Sequence, residues 1–304
     1  TQDITTELSR FRSLGVIAES AAAAHAAVPP RQAARELGAG YVLTGSLRPL
    51  GTAGAAEHAR VRLSVQLGEG ATGVLVWSER FDVEREALPE TGDRVVREVV
   101  AARALEIEAH LLAESRRRSG DLSAYEHWVQ GMTLLKQGSL EADEEARGCF
   151  QRSLERDPGF VRAYTGLSLS YFNEWSCQYW GRWDQSQREA QRYAEQAARM
   201  DPADHMALGI LGKVELYRRR FGQADANFSR ALRLNPNDAD NLALVSIGYA
   251  CLGKHELAVE LGQAAMRLNP RHAPWYCVGV FCAQFQLRRY ADSIATAQGA
   301  LGAF

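Results

Sequence analysis

Pro202, Pro236 and Pro270 stand 34 residues apart, twice in succession, and this spacing constrains the chain more than any other feature. Each proline closes a similar phrase. Ala231-Leu232-x-Leu234-Asn235-Pro236 matches Ala265-Met266-x-Leu268-Asn269-Pro270, with Ala224 and Phe228 upstream in one copy and Ala258 and Gly262 in the other. A 34-residue period is that of helix-turn-helix solenoids, in which no single helix pair can bury its apolar side and each stacks on the next. Small residues fall where two helices must touch, and proline marks the turn into the following pair.

Composition limits what surrounds the repeat. The 304 residues, 46% hydrophobic and 24% charged, suffice for two domains with cores of their own. No apolar stretch reaches the ~18 residues that a membrane span needs. Thirty-five basic against thirty-seven acidic residues leave a net charge of -2, with no basic half to grip a nucleic-acid backbone. The five cysteines, all between Cys149 and Cys282 and without a CxxC pair, argue against a disulfide framework and a zinc site; buried, reduced thiols are expected.

The fold class expected is a small α+β amino-terminal domain over residues 1–118, followed by an all-α solenoid over 119–304. In the first part Ile4, Leu8 and Phe11 recur at helical spacing, and Phe11 to Glu19 reads as a strand. Pro30 and Gly38 bracket a helix. Strands are expected through Tyr41 to Leu47, through Val61 to Leu67 with its period-two alternation, and through Val74 to Phe81. The glycines of the 68–73 turn suit a hairpin between the last two. Val96, Val100, Ala104, Ile107 and Leu111 mark a long helix, and a charged link from Glu114 to Asp121 leads out of the domain.

The repeat region resembles the tetratricopeptide repeat (TPR) family, which implies a right-handed superhelix of helix pairs. Residues 203–236 and 237–270 are full copies. Residues 159–202 form a copy with a loop longer by about ten residues, 124–158 a degenerate first copy, and 271–304 a fifth without its closing proline. The blocks 31–47 (RQAARELGAGYVLTGSL), 61–67 (VRLSVQL) and 72–82 (TGVLVWSERFD) resemble the TolB-amino-terminal-like or FlgO-like domain. That pairing implies a place carboxy-terminal to a class III adenylate/guanylate cyclase domain or to a winged-helix DNA-binding domain. Neither effector is recognisable in this sequence.

Catalytic signatures are missing from the sequence: GxxxxGK[ST], HExxH and GxSxG do not occur. Gly38-Ala39-Gly40 lies between a helix and a strand, the wrong order for a dinucleotide fingerprint, and reads as a helix stop. The seven histidines are scattered without ligand spacing and read as solvated or half-buried; Asp238 and Asp240 read as caps of a helix start. No cofactor, metal or catalytic residue is expected, and the segment reads as no enzyme.

Binding is therefore the expected function, on the face lined by the first helix of each pair. Register with the repeat places Tyr125, Trp128, Met132 and Leu135 there, then Arg162, Thr165, Leu169 and Phe172, then Met206, Gly209, Lys213 and Leu216. Asp240, Ala243 and Ile247 follow in the fourth copy, and Pro274, Cys277 and Phe281 in the fifth. The groove reads as mostly apolar. Relatives that clamp a terminal carboxylate use clustered lysine, arginine and asparagine; here Arg162 and Lys213 stand almost alone, so an apolar or aromatic segment is the expected ligand. The loop of the second copy concentrates Trp175, Cys177, Tyr179, Trp180 and Trp183, which either plug the first layers or form an exposed aromatic patch. The expected role is a non-catalytic regulatory and protein-interaction region of a bacterial signalling protein, the carboxy-terminal part of a nucleotide cyclase. Alternatives are the sensor half of a winged-helix transcription regulator and an envelope-associated TPR adaptor. The chain reads as a piece of a longer protein with its effector upstream, cytoplasmic or alternatively periplasmic, with no direct nucleic-acid partner and an exposed β edge that could pair in a homodimer.

Overall fold

The computed structural model of the chain describes residues 16–17, 22, 25, 28–50, 60–84, 123–176, 180–270 and 272–301. The chain divides into two compact units, Thr1–Ile107 and Glu108–Phe304. The expected helix at Ile4–Phe11, the helix at Val96–Leu111 and the link at Glu114–Asp121 lie outside the described residues, as does the expected boundary at residue 118; of the strand expected at Phe11–Glu19 only Val16 and Ile17 are described, and they are not in a strand.

In the first unit, helix α1 (Pro30–Leu37) starts with proline in its first turn and ends at Gly38, whose φ of 65° is the left-handed conformation that a helix stop requires. Three antiparallel strands follow in the order β1-β2-β3: β1 (Tyr41–Leu50), β2 (Arg60–Glu69) and β3 (Leu75–Glu84). Alternation sends Val65 into the core, where Leu43, Leu63, Trp77 and Phe81 pack on it. Arg62, Ser64 and Gln66 then fall on the opposite face. The hairpin falls at the expected glycines. At Gly70 a β-carbon would stand 2.4 Å from the Ala39 carbonyl and 2.7 Å from the Ala34 β-carbon, so only glycine lets the turn close on α1.

Among its described residues the second unit is an all-α solenoid of five helix pairs. These are α2 (Ala124–Leu135) with α3 (Leu140–Arg156), α4 (Val161–Ser176) with α5 (Trp183–Met200), α6 (His205–Tyr217) with α7 (Phe221–Leu234), α8 (Ala239–Cys251) with α9 (His255–Leu268), and α10 (Cys277–Gln286) with α11 (Tyr290–Leu301). Ala146, Ala190, Ala224 and Ala258 are at most 1% exposed, where second helices meet first helices. Ser168 and Ser246 hydroxyls donate to the Ala190 and Ala258 carbonyls at 2.7 Å, which ties second helices to first.

Two phenylalanines set the spacing of the stack. Phe150 of α3 is fully buried, and a β-carbon at either Gly131 or Gly166 would stand 2.5 Å from its ring. Phe228 of α7 is held in the same way, with Gly212 and Gly248 at 2.6 and 2.4 Å. Each ring is inserted between the first helix of its own pair and that of the next. One period later the arrangement is inverted. Gly262 occupies the position of Phe228, and Ser246 and Val280 fill the space; a β-carbon on Gly262 would stand 2.3 Å from Val280. The interface keeps its volume and exchanges which side supplies it.

The longer second copy departs from expectation. Its extra length lies mainly in helix, since α4 has 16 residues and α5 has 18 against 13 and 14 in α6 and α7. Trp175 and Trp183 therefore belong to helices and not to a loop. The extended ends carry an ionic cluster: Arg147 bonds Glu174 at 2.8 Å, Ser186 donates to the same carboxylate at 2.8 Å, and Arg182 lies 3.0 Å from it. Burial pushes the neighbouring Asp143 carboxyl up to about 6, against the Asn173 hydrogen bond and the Arg147 charge, with Glu174 adding to the rise.

Two outcomes are expected. Gly212→Ala and Gly248→Ala should each lose about 1–3 kcal/mol through overpacking against Phe228, whereas Gly222→Ala, with open space at its β-carbon, should gain up to about 1 kcal/mol; urea unfolding followed by circular dichroism reads both. Because the folded Asp143 binds a proton more tightly than the unfolded chain does, its contribution favours the fold at low pH and is lost as pH rises from about 4 through about 6. Asp143→Asn should flatten that slope and raise neutral-pH stability by about 1–2 kcal/mol, measured by the same unfolding at several pH values.

Candidate binding groove

The first helices are held in register by their caps. Ser123 and Glu126 form a reciprocal capping box on α2. Asp204 accepts from the Met206 and Ala207 amides at the start of α6, and 34 residues later Asp238 accepts from the Asn241 amide at the start of α8. The caps are also wired to each other. His205, fully buried, meets the Asp238 carboxylate through Nε2 at 2.8 Å, and the Asn235 amide lies 3.4 Å from the same ring nitrogen. Burial would raise the Asp238 carboxyl, but the His205 hydrogen bond and charge, the Asn241 amide and Arg162 bring it below the usual range. The expectation of solvated or half-buried histidines is corrected at His205, because this ring closes the junction between two consecutive pairs.

A narrow cleft of about 40 Å³ runs along the first helices of the first four pairs. Of the expected groove residues, Trp128, Met132, Arg162, Thr165 and Leu169 line it, together with Met206 and Asp240. Arg162 is nine-tenths buried, with its guanidinium 5.3 Å from the Trp128 ring centroid and 3.9 Å from the Asp204 carboxylate. Its Nε and Nη2 are buried without a hydrogen-bond partner among the described residues. Such donors cost about 1–3 kcal/mol each when left unmet, so they favour a ligand that brings an acceptor.

Other expected residues sit elsewhere. Tyr125 packs on Trp128 and Phe160, with ring centroids 5.4 and 6.4 Å away. Phe172 and Leu216 are buried in the main core, Phe172 edge-on to Tyr217 at 4.8 Å, so neither offers open groove surface. Lys213 lies over the Phe172 ring with Nζ 4.6 Å from the centroid. Trp175 is 2% exposed and meets Phe172, Tyr217 and Trp183 edge-to-face, joining the second and third pairs. Trp183 packs partly buried against the same core. Cys177, Tyr179 and the side chain of Trp180 lie outside the described residues.

The cleft is also more polar than the sequence indicated. Lys136, at the end of α2, faces Asp238 and Asp240. Burial drives the Asp240 carboxyl above the usual range, the Lys136 charge pulls it down, and Tyr276 donates a hydrogen bond to it. Asp240 is thus no helix cap but half of a link between the fourth and fifth pairs. These partners come from helices far apart in sequence, and the one signal available was the 34-residue recurrence of aspartate at 204 and 238. Cys149 and Cys277 are buried as expected, whereas Cys251 and Cys282 are exposed, which corrects the expectation of buried thiols at those two positions.

Among the described residues no helix is long and apolar enough to cross a membrane, and no group of three or more histidine, cysteine or acidic side chains converges as around a metal. No family model matches the sequence. Among solved structures, a thermophilic TPR protein of Thermus thermophilus (TTC0263) is similar at 18% identity and a TM-score of 0.42, over 69% of this chain and 95% of that one. PilF of Pseudomonas aeruginosa is similar at 17% identity and 0.40, over 59% and 75%. YrrB, described as a TPR protein with an unusual peptide-binding site, is similar at 18% and 0.36, over 64% and 91%. Among curated proteins the chain is 31% identical over 230 residues to "Putative adenylate cyclase 3" of Rhizobium meliloti (strain 1021), a match that takes in 74% of this chain and 38% of that protein.

Proposed function

We propose that this chain is the non-catalytic regulatory and protein-interaction region of a bacterial signalling protein of the nucleotide cyclase type. The observation that supports this most is the cyclase-named relative. The matched 74% of the chain is longer than the helical unit, so the likeness also takes in part of the sheet unit, and the remainder of the relative leaves room for an effector. The resemblance of the amino-terminal blocks to TolB-amino-terminal-like domains supports the same arrangement. The helical groove is the recognition surface: Trp128, Met132, Leu169 and Met206 take an apolar or aromatic side chain, and Arg162 takes an acceptor from the ligand main chain.

Selection of random 16-residue peptides on the 304-residue chain tests the groove. Aromatic or aliphatic sequences should be enriched, and Trp128→Ala and Arg162→Ala should each weaken the selected peptide by about tenfold to a hundredfold. Enrichment of acidic carboxy-terminal tails, or binding indifferent to both substitutions, contradicts it. Cyclase assay of the full gene product with and without residues 1–304 tests the regulatory role, since deletion should change the rate; a gene product with no cyclase activity contradicts it.

A further inference from the structure

The sheet of the amino-terminal unit carries a charge pattern with no counterpart in the groove. A hollow of about 550 Å³ opens over one face, and its polar lining is Arg48, Arg62 and Arg80 with Thr44, Ser46, Ser64 and Gln66. Among the described residues no carboxylate belongs to its lining, and the carboxylate beside it, Asp82 on the same face, is taken up by Arg62. These residues alternate with the core-facing Leu43, Val65 and Phe81, so packing of the core does not explain their choice.

The register sharpens the point. Arg48 stands directly opposite Arg62, a like-charge pair that is unfavourable across two strands. Arg62 is turned toward β3 and held by Asp82 through two bonds of 2.7 and 2.8 Å, which fixes its guanidinium beside the hollow. Arg48 and Arg80 are exposed, and neither has a carboxylate partner among the described residues. Ser46 and Ser64 face each other between them, and Ser64 also pairs with Arg80. An oxyanion seated here relieves the repulsion between the arginines and takes hydroxyl and amide donors at the same time.

We propose that this sheet face binds a small anion carrying linked phosphates. Arg48 on β1 and Arg80 on β3 stand two strands and two residues apart, about 12 Å at the backbone, so a diphosphate or triphosphate suits the span better than a single phosphate. Arg48 and Arg80 grip the outer oxygens, the Ser46 and Ser64 hydroxyls donate to the bridge, and Arg62, its charge met by Asp82, has Nη1 left to donate.

Calorimetric titration of the 304-residue chain at low ionic strength with pyrophosphate, ATP, orthophosphate and adenosine tests this. Pyrophosphate and ATP should bind once per chain, orthophosphate more weakly, and adenosine not at all. Arg48→Gln with Arg80→Gln should weaken pyrophosphate by about a hundredfold, about tenfold per charged contact, and raising the salt to about 1 M should act in the same direction. Both positions are exposed, so unchanged thermal melting of the double variant separates lost binding from lost folding, and Arg162→Gln in the groove should leave pyrophosphate binding untouched. No saturable pyrophosphate binding, equal binding by the double variant, or binding of poly-glutamate or duplex DNA without pyrophosphate would overturn the proposal.

Discussion

The helical unit depends on close approach of backbones around inserted rings. Phe150 and Phe228 each lie between glycines of two successive first helices, at distances that leave no room for a β-carbon. A fully buried aromatic removes a large apolar surface from water, and at close packing every missing or added methyl is felt. The rings therefore do more than fill space, because each one joins its own pair to the next. Such nearest-neighbour contacts are how a solenoid gains stability without a central core. The inverted arrangement at Gly262 shows that the constraint is the volume at the junction, not the identity of the residue on either side.

From that constraint follows the placement of the groove. Once each pair is fixed on its neighbour, the first helices lie side by side and their caps come into contact. Asp204 and Asp238 are spent on helix amides, and the His205 and Arg162 side chains are drawn to them. Arg162 ends in the cleft with donors still unmet, backed by Trp128. The cleft thus grows out of the same contacts that hold the stack, which is why its apolar side chains stand beside the buried Arg162 and the charged Lys136, Asp238 and Asp240.

Much of this was legible in the sequence, and the reasons differ by element. The proline period and the small residues at 224 and 258 located the helix pairs because repeats encode junctions that must recur. The alternation in β2 and the Pro30–Gly38 brackets located the sheet and α1 because local chemistry decides them. Register alone named seven of the side chains that line one cleft, Trp128, Met132, Arg162, Thr165, Leu169, Met206 and Asp240. Phe172 and Leu216 were misplaced, since periodicity gives a helix face but not how deeply a neighbouring helix covers it. Trp175 and Trp183 were assigned to a loop because the inserted residues extend two helices, which a count of residues between motifs cannot reveal. The His205–Asp238 and Tyr276–Asp240 links join different repeats, and pairings of that kind appear only once the stack exists.

Hydrogen exchange of the 304-residue chain, with and without its tightest selected peptide, tests the central claim most directly. Protection on binding should concentrate in α2, α4 and α6, with Trp128, Arg162 and Met206 at its centre, and leave α3, α5 and α7 nearly unchanged. Protection confined to those second helices, or to the sheet unit, would contradict a recognition surface built from the first helices of the stack.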